Sequence, residues 1–224
     1  MKTLSKMMKE NNILSKLEAN DLNELIEKAQ RKHYLKGDYI CFQDEIWEYI
    51  AFIYSGEVKW TLSSPNGKRQ IVYGMQEGSV IIGHSLFDGK GLPASLEVIA
   101  DSEVYLCPKD VITPILSRNP LALWEVTKTL VTNMRIVRSV VYGFSFHPAS
   151  KRLARLMLNH YKLNNGEVAP RDLTLDELAA EVGTTRELIS KILNDFAREG
   201  IINITRGYIV FKNKDKLEEI AEKK

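Results

Sequence analysis

Residues 174–193 read TLDELAAEVGTTRELISKIL. Thr174 is followed three residues later by Glu177, and Thr184 three residues later by Glu187. Each pair has the spacing of a capping box, in which a hydroxyl and a carboxylate satisfy the free backbone N–H groups of a helix start. Two such starts ten residues apart, with Gly183 between them, predict two short helices joined by a tight turn. Ala179 is small enough to let the helices approach, and Ile189 is placed to pack from the second helix into the first. The combination is a helix-turn-helix pattern, far more specific than any one of its residues.

The second helix is expected from about Thr185 to near Gly200, burying Leu188, Ile189, Ile192, Leu193 and Phe196. Arg186, Glu187, Ser190 and Lys191 fall on the other side of its first two turns, beside Thr184 and Thr185. In DNA-binding versions of the motif, the N-terminal residues of the second helix reach base edges in the major groove. Arginine pairs with guanine O6 and N7, glutamate accepts from cytosine N4, and lysine donates to guanine or phosphate. The competing reading is a solvated charged face. After Gly200, the run IINITRGYIVF gives two β-rich segments around Arg206-Gly207. They predict a hairpin wing whose Arg206 suits a phosphate contact, which positions without specifying.

Upstream, His147-Pro148 interrupts helical geometry, because the residue before a proline is pushed out of it. A helix is expected after it, with Leu153, Leu156, Met157 and Tyr161 facing a core, and KLNNGEVAPRD follows as a loop or small hairpin arm. Before it, a long helical pattern starts just after Asn119-Pro120, near Leu121, and runs to about Phe144. Leu123, Leu130, Val137 and Phe144 recur every seven residues, with Thr127, Met134 and Val141 between them. That spacing is a coiled-coil seam and predicts a two-stranded dimer helix. A helix packed only on its own domain is the alternative.

Further upstream, YLKGDYICF, YIAFIYSGEVKWTLSS, RQIVYGMQEGSVIIG and SLEVIADSEVYLCP are β-branched and aromatic runs that read as strands. Pro65-Asn66-Gly67-Lys68 is a hairpin signal, since Asn-Gly supplies positive φ angles. Glycines 37, 56, 78 and 83 are expected at strand ends, and residues 13–31 as a short helix. The whole is an α+β chain. Residues 1–117 would be a β-barrel domain, residues 118–146 the dimerisation helix and hinge, and residues 147–224 a winged helix-turn-helix.

Composition excludes more than it selects. Hydrophobic residues make up 44%, enough for a real core, and the net charge of +2 is too small to announce nucleic acid. Fourteen basic and twelve acidic residues follow His147, against seventeen of each up to and including it. Cys41 and Cys107 form no CxxC pair, so they read as buried thiols, with a redox role left open. His33, His147 and His160 are scattered and suggest no metal site. No nucleophile–base–orienter set supports an enzyme. With no apolar leader and no run of ~20 apolar residues, the expected location is the cytoplasm.

The order of these elements resembles the Crp/Fnr family of bacterial transcription regulators, over nearly the whole chain. The likeness is firmest in LTLDELAAEVGTTRELISKILNDFAREGII, then in YIAFIYSGEVKW and Asn119-Pro120. It implies an N-terminal cyclic-nucleotide-binding-like jelly roll (a double-stranded β-helix), and a homodimer on palindromic double-stranded DNA. For an activator, RNA polymerase would be a further partner. Arg186, Glu187 and Lys191 match the base-reading positions of the cyclic-AMP branch, with lysine in place of its last arginine. Glu187, Ser190 and Lys191 equally resemble those of the oxygen-responsive branch. The lysine lacks the planar fork that reads guanine.

The departure is in the effector segment, GHSLFDGKGLPASLEV. Family members that bind cyclic AMP carry a Gly-Glu pair for the ribose and an Arg-Ser pair for the phosphate. Here His84 follows Gly83, and Leu92-Pro93 stands in the place of the Arg-Ser pair. An anion buried there would be unpaired, which is costly, so a small-molecule effector other than cyclic AMP is expected. The resemblance assigns Gly83, His84, Ser85, Leu92, Ser95, Met134 and Arg138 to the pocket. Trp47, Trp60, Tyr73 and Phe87 either line an aromatic cavity or form the core of the barrel. His84 also stands near the haem-ligating histidine of the carbon-monoxide-sensing branch, which makes a haem- or redox-responsive regulator the alternative. A second alternative is a ligand-binding signalling subunit whose winged helix contacts protein.

Overall fold

The computed structural model describes residues 3–65, 67–161 and 167–222. Asn66 of the expected hairpin turn and residues 162–166 of the expected loop lie outside them. The fold divides into two compact units, Met1–Ser64 with Val72–Val137 and Pro65–Ile71 with Arg138–Lys224. The division falls inside the long helix, whose last turns group with the C-terminal unit.

The first unit is organised by two long antiparallel strands, β3 (Tyr49–Ser63) and β6 (Ser95–Pro108). Around them the sheet order is β1 (Gln30–Tyr34), β6, β3 and β4 (Arg69–Gln76). Strand β2 (Tyr39–Cys41) adds to β6, and β5 (Val80–Ile82) adds to β3. The β3–β6 register shifts repeatedly between Ile53 and Val58. Such bulges bend a pair and raise its twist, so one half of the ladder carries β1 and β5 while the other carries β2.

Alternation along β3 feeds two cores, as the period of two of a strand requires. Ala51 and Ile53 join Trp47, Val58, Trp60, Ile81, Leu92 and Leu96 inside the roll. Ile50 and Phe52 face a helical layer with Met8, Leu22, Leu25, Ile112, Ile115, Ala122 and Val126. That layer comprises α1 (Leu4–Glu10), α2 (Ala19–Lys28), α4 (Lys109–Arg118) and the start of α5 (Pro120–Phe146); α3 (Ser85–Asp88) is a single turn after β5.

Two expectations are corrected here. Residues 13–31 are not one helix. A 3-10 turn at Leu14–Lys16 ends in extended backbone at Leu17 and Glu18, and Gln30 already belongs to the sheet. The break is held from a distance, because buried Asn119 accepts the Glu18 N–H at 3.0 Å through its side-chain oxygen. Its amide nitrogen donates to Asp21 and to the Ile115 carbonyl. Arg118 also reaches Asp21, at 2.7 Å, and with Asn119 holds that carboxyl below the usual carboxylate range. Asn119-Pro120 therefore fixes where α5 begins, with proline at the first helical position.

Gly56 is not at a strand end but within β3, at the bulge, with φ +94°. A Cβ there would stand 2.2 Å from Ser102 Oγ and 2.5 Å from the Asp101 carbonyl. Both the positive φ and the close approach demand glycine. Gly56→Ala should destabilise the protein by about 3 kcal/mol, combining left-handed backbone strain with overpacking. Urea unfolding measures this as a lower midpoint at unchanged slope.

The C-terminal unit contains α6 (Ala149–Tyr161), α7 (Leu175–Val182), α8 (Arg186–Arg198) and α9 (Lys214–Glu222). Its sheet has three strands rather than the expected two. β7 (Val168–Pro170) pairs with β9 (Tyr208–Phe211), which pairs with β8 (Ile202–Ile204). The polar composition around β7 hid it, since only Ala169 of its three residues is buried. The core gathers Leu153, Met157, Val182, Ile189, Phe196 and Leu217.

Candidate nucleic-acid interface and effector region

The first capping box forms as its spacing requires. Thr174 Oγ1 accepts the Glu177 N–H at 3.1 Å, and Glu177 accepts the Thr174 N–H at 2.7 Å. The second box does not form at Thr184. The N–H groups of Gly183 and Thr184 both donate to the Ala179 carbonyl, at 2.8 and 3.0 Å, so Thr184 still belongs to the end of α7. The N-cap of α8 is Thr185, whose hydroxyl accepts the Leu188 N–H. One residue of register is the cost of closing α7 through a left-handed glycine.

Helix α8 buries Ile189, Ile192, Leu193 and Phe196 against α7 and the rest of the core. Leu188, expected on that face, lies at its edge in the first turn and is 39% exposed. Arg186, Glu187 and Lys191 are exposed, and Ser190 is half-buried beside them. The Glu187 backbone N–H, and then the Thr185 hydroxyl, hold the Glu187 carboxyl below its usual range. It is an ionised acceptor near neutrality, the state needed to receive a base amino group. Arg186 Nη1 rests 3.3 Å from Asp176 Oδ2, an exposed pair that is easily exchanged for another partner. Arg206 is exposed at the wing tip, and Thr205 closes the turn by bonding Tyr208 in both directions.

Arg152, which the sequence reading did not single out, ties this motif to the end of α5. Its Nε donates to the Val182 carbonyl at 2.8 Å, Nη1 to His147 at 2.6 Å, and Nη2 to Gly183 at 3.3 Å. Its guanidinium also lies 5.1 Å from the centre of the Phe144 ring. Gly183, at φ +70°, sits so close that a Cβ would stand 2.4 Å from that ring. The signal in the sequence was faint, one of three basic residues in Pro148–Arg155.

The seam residues of α5 are largely unpartnered. Met134 is 72% and Val141 56% exposed, and Leu123, Thr127, Val137 and Phe144 are also exposed. Leu130 departs from them by packing on the helical layer with Ala122 and Val126. Phe144, as described, is additionally engaged by Arg152.

In the effector segment most of the expected residues serve the fold. Ser85 Oγ accepts the Trp47 N–H and donates to the Lys90 carbonyl, while Ser95 Oγ accepts the Gln43 N–H. The Gly83 N–H donates to Tyr49. Leu92 is completely buried in the roll, and its backbone N–H and carbonyl are taken by Glu45 and Asp44. The side chain at that position is therefore an apolar core residue rather than a cation. Trp47 and Trp60 are core residues, and Phe87 is exposed. Met134 and Arg138 lie exposed on α5, with Arg138 5.6 Å from the centre of the Tyr142 ring.

His84 is different. Among the described residues its buried Nδ1 has no hydrogen-bond partner, and its ring meets Trp60 edge-on at 5.5 Å. Cys41 and Cys107 lie in different cores, where burial pushes both thiols up to about 12. Thiolates, the reactive forms, are disfavoured there. Among the described residues no cluster of three or more metal-ligating side chains occurs, and no helix is long and apolar enough to cross a membrane.

A cyclic nucleotide-binding domain family matches residues 31–119, and a Crp-like helix-turn-helix domain family matches residues 151–220. The chain belongs to the Crp/Fnr family of transcription regulators, a non-enzymatic family. It is similar to the cyclic AMP receptor protein of Thermus thermophilus, at 24% identity over 96% of this chain and 98% of that one. In fold it resembles a crystal structure from Eubacterium rectale, described as a putative transcriptional regulator of this family. That likeness has a TM-score of 0.81 and 16% identity, covering 93% of this chain and 97% of the other. It also resembles the c-di-GMP-responsive global regulator CLP of Xanthomonas campestris, with a TM-score of 0.77 and 15% identity over 87% and 99% of the two chains.

Burial holds the His84 imidazole below its ordinary range, with Asp88 partly offsetting the effect. The unfolded chain therefore takes up the proton first as the pH falls. Stability is full above about 6.5 and declines as the pH drops from there through the depressed folded value. Urea unfolding between pH 7.5 and 5 should show this decline, and His84→Gln should flatten it.

Proposed function

We propose that the protein is a homodimeric regulator that binds a palindromic DNA site through Arg186, Glu187, Ser190 and Lys191. Thr184, Thr185 and Arg206 contact the backbone, and a small molecule other than cyclic AMP controls the dimer. The observation that carries this reading is α8 itself. One face is buried in the core, and the other presents an ionised carboxylate and two cations from its first two turns. The exposed seam of α5 supports the dimer, since water-exposed Met134, Val137 and Val141 on one helix are a stripe that a second copy would cover. Two copies would place their recognition helices about one DNA turn, ~34 Å, apart.

The buried, neutral Leu92 supports an effector without a cyclic phosphate. Relatives are described as responding to cyclic AMP and to c-di-GMP, so the family framework accommodates different ligands. The effector acts by binding the DNA-competent arrangement more tightly than the other. Activation would add a contact with RNA polymerase.

A gel shift at controlled salt, comparing palindromes selected from a random pool with unrelated duplex, tests the reading. Equal binding to both at moderate salt rejects it. Arg186→Ala should relax preference at one base step of each half-site and cost about 1–3 kcal/mol on the selected site. Equal weakening on every sequence would remove Arg186 from base reading. Met134→Glu combined with Val141→Asp should shift the protein to monomer in sedimentation equilibrium. It should also weaken binding to the full palindrome more than to a single half-site.

A further inference from the structure

Three arginines converge on one cleft in the C-terminal unit. Arg171 follows β7, Arg186 opens α8, and Arg206 tips the wing; together with Thr174 and Asp176 they line a depression of about 410 Å³. In the sequence Arg171 belongs to the polar run expected as a loop or small hairpin arm. The structure brings it to the wing, where its backbone N–H donates to the Gly207 carbonyl at 3.0 Å. Its Nη1 lies 3.5 Å from the Thr205 carbonyl, at the limit of a hydrogen bond. Among the described residues neither Arg171 nor Arg206 has a carboxylate partner, whereas Arg186 is held by Asp176. The cleft thus carries three cations against one carboxylate, on the same side of the unit as the first turn of α8.

We propose that this cleft seats one phosphodiester of the bound duplex in each half-site, with Arg171 and Arg206 as its ligands. Guanidinium groups suit this role, since their planar fork matches two phosphate oxygens. The first turn of α7 is not the source of the attraction, because the Thr174–Glu177 capping box already satisfies donors there. Asp176 divides the work. Its exposed pair with Arg186 is weak enough for that fork to exchange the carboxylate for a base edge when DNA binds. The assignment rests on the DNA-binding reading above, and it adds Arg171 to the interface as a residue that sets affinity without reading sequence.

The experiment compares wild type, Arg171→Gln and Arg206→Gln on the duplex that wild type selects and on random duplex of equal length. Binding is followed by fluorescence anisotropy across a sodium chloride series. Losing one phosphate contact lowers the slope of log K against log[salt] by about 0.9; because both arginines share one phosphate in each half-site, about 1.8 is the most a dimer can lose in either variant. Both duplexes should weaken together, about tenfold or more at 150 mM salt, leaving sequence preference unchanged. Replacing single phosphates by neutral methylphosphonates should identify one position per half-site to which wild type is more sensitive than either Arg171→Gln or Arg206→Gln. Among the described residues Arg171 makes one marginal side-chain bond and Arg206 is exposed, so both variants should melt with wild type by circular dichroism.

An unchanged salt slope in both variants, with wild type still selecting its palindrome, overturns the seat and leaves the regulator reading intact. No selection by wild type overturns both. Titration of inorganic phosphate and pyrophosphate without DNA, at constant ionic strength, separates a backbone phosphate from a free one. Saturable binding lost in Arg171→Gln, with an unchanged slope on DNA, would assign the cleft to a small phosphate ester instead.

Discussion

The DNA-binding unit depends on where the Arg152 guanidinium is held. Helix ends leave carbonyl groups without partners, and two such ends meet here. The last turn of α5 offers the His147 carbonyl, and the end of α7 offers those of Val182 and Gly183. One planar cation with several fixed donors satisfies all three and stacks on Phe144. Burial makes its charge more expensive and lowers its pKa, but the carbonyls repay much of that in a medium where hydrogen bonds to charge are strong. The turn that sets α8 across α7 is thereby joined to the end of the long helix.

Helix α5 must satisfy two demands with one sequence. Ala122 and Val126 pack on the helical layer of the first unit, while Met134, Val137 and Val141 face water. A heptad count registers the second stripe clearly, because it recurs without interruption. It does not register that Leu130 also packs on the helical layer, since periodicity cannot tell which of two neighbouring apolar surfaces a residue meets first. Its start, in contrast, is fixed by a polar network. Asn119 bonds Glu18 and Asp21 across about a hundred positions of sequence, and no local pattern could have announced that.

In the effector domain, hydrogen bonding decided what residue type alone left open. Ser85 and Ser95 have the chemistry of ligand donors, yet their hydroxyls are committed to backbone groups. Trp47 and Trp60 have the chemistry of an aromatic box, yet they fill the roll. His84 keeps a buried nitrogen without a partner among the described residues, and it stands out only once the partners of its neighbours are counted.

The sequence by itself determined the order of elements, the first capping box, the glycine turn, the exposed cations of α8 and the α5 stripe. Each is written in contacts three, four or seven residues apart, which local geometry converts directly into structure. It did not determine that Thr185 rather than Thr184 caps α8, because Ala179 takes the Thr184 N–H only when the turn closes. Nor did it determine that residues 168–170 become a third strand, that Gly56 accommodates Ser102, or that Arg171 reaches the wing. Those depend on which distant backbone groups remain unsatisfied after local structure has formed, and only the tertiary structure supplies their partners.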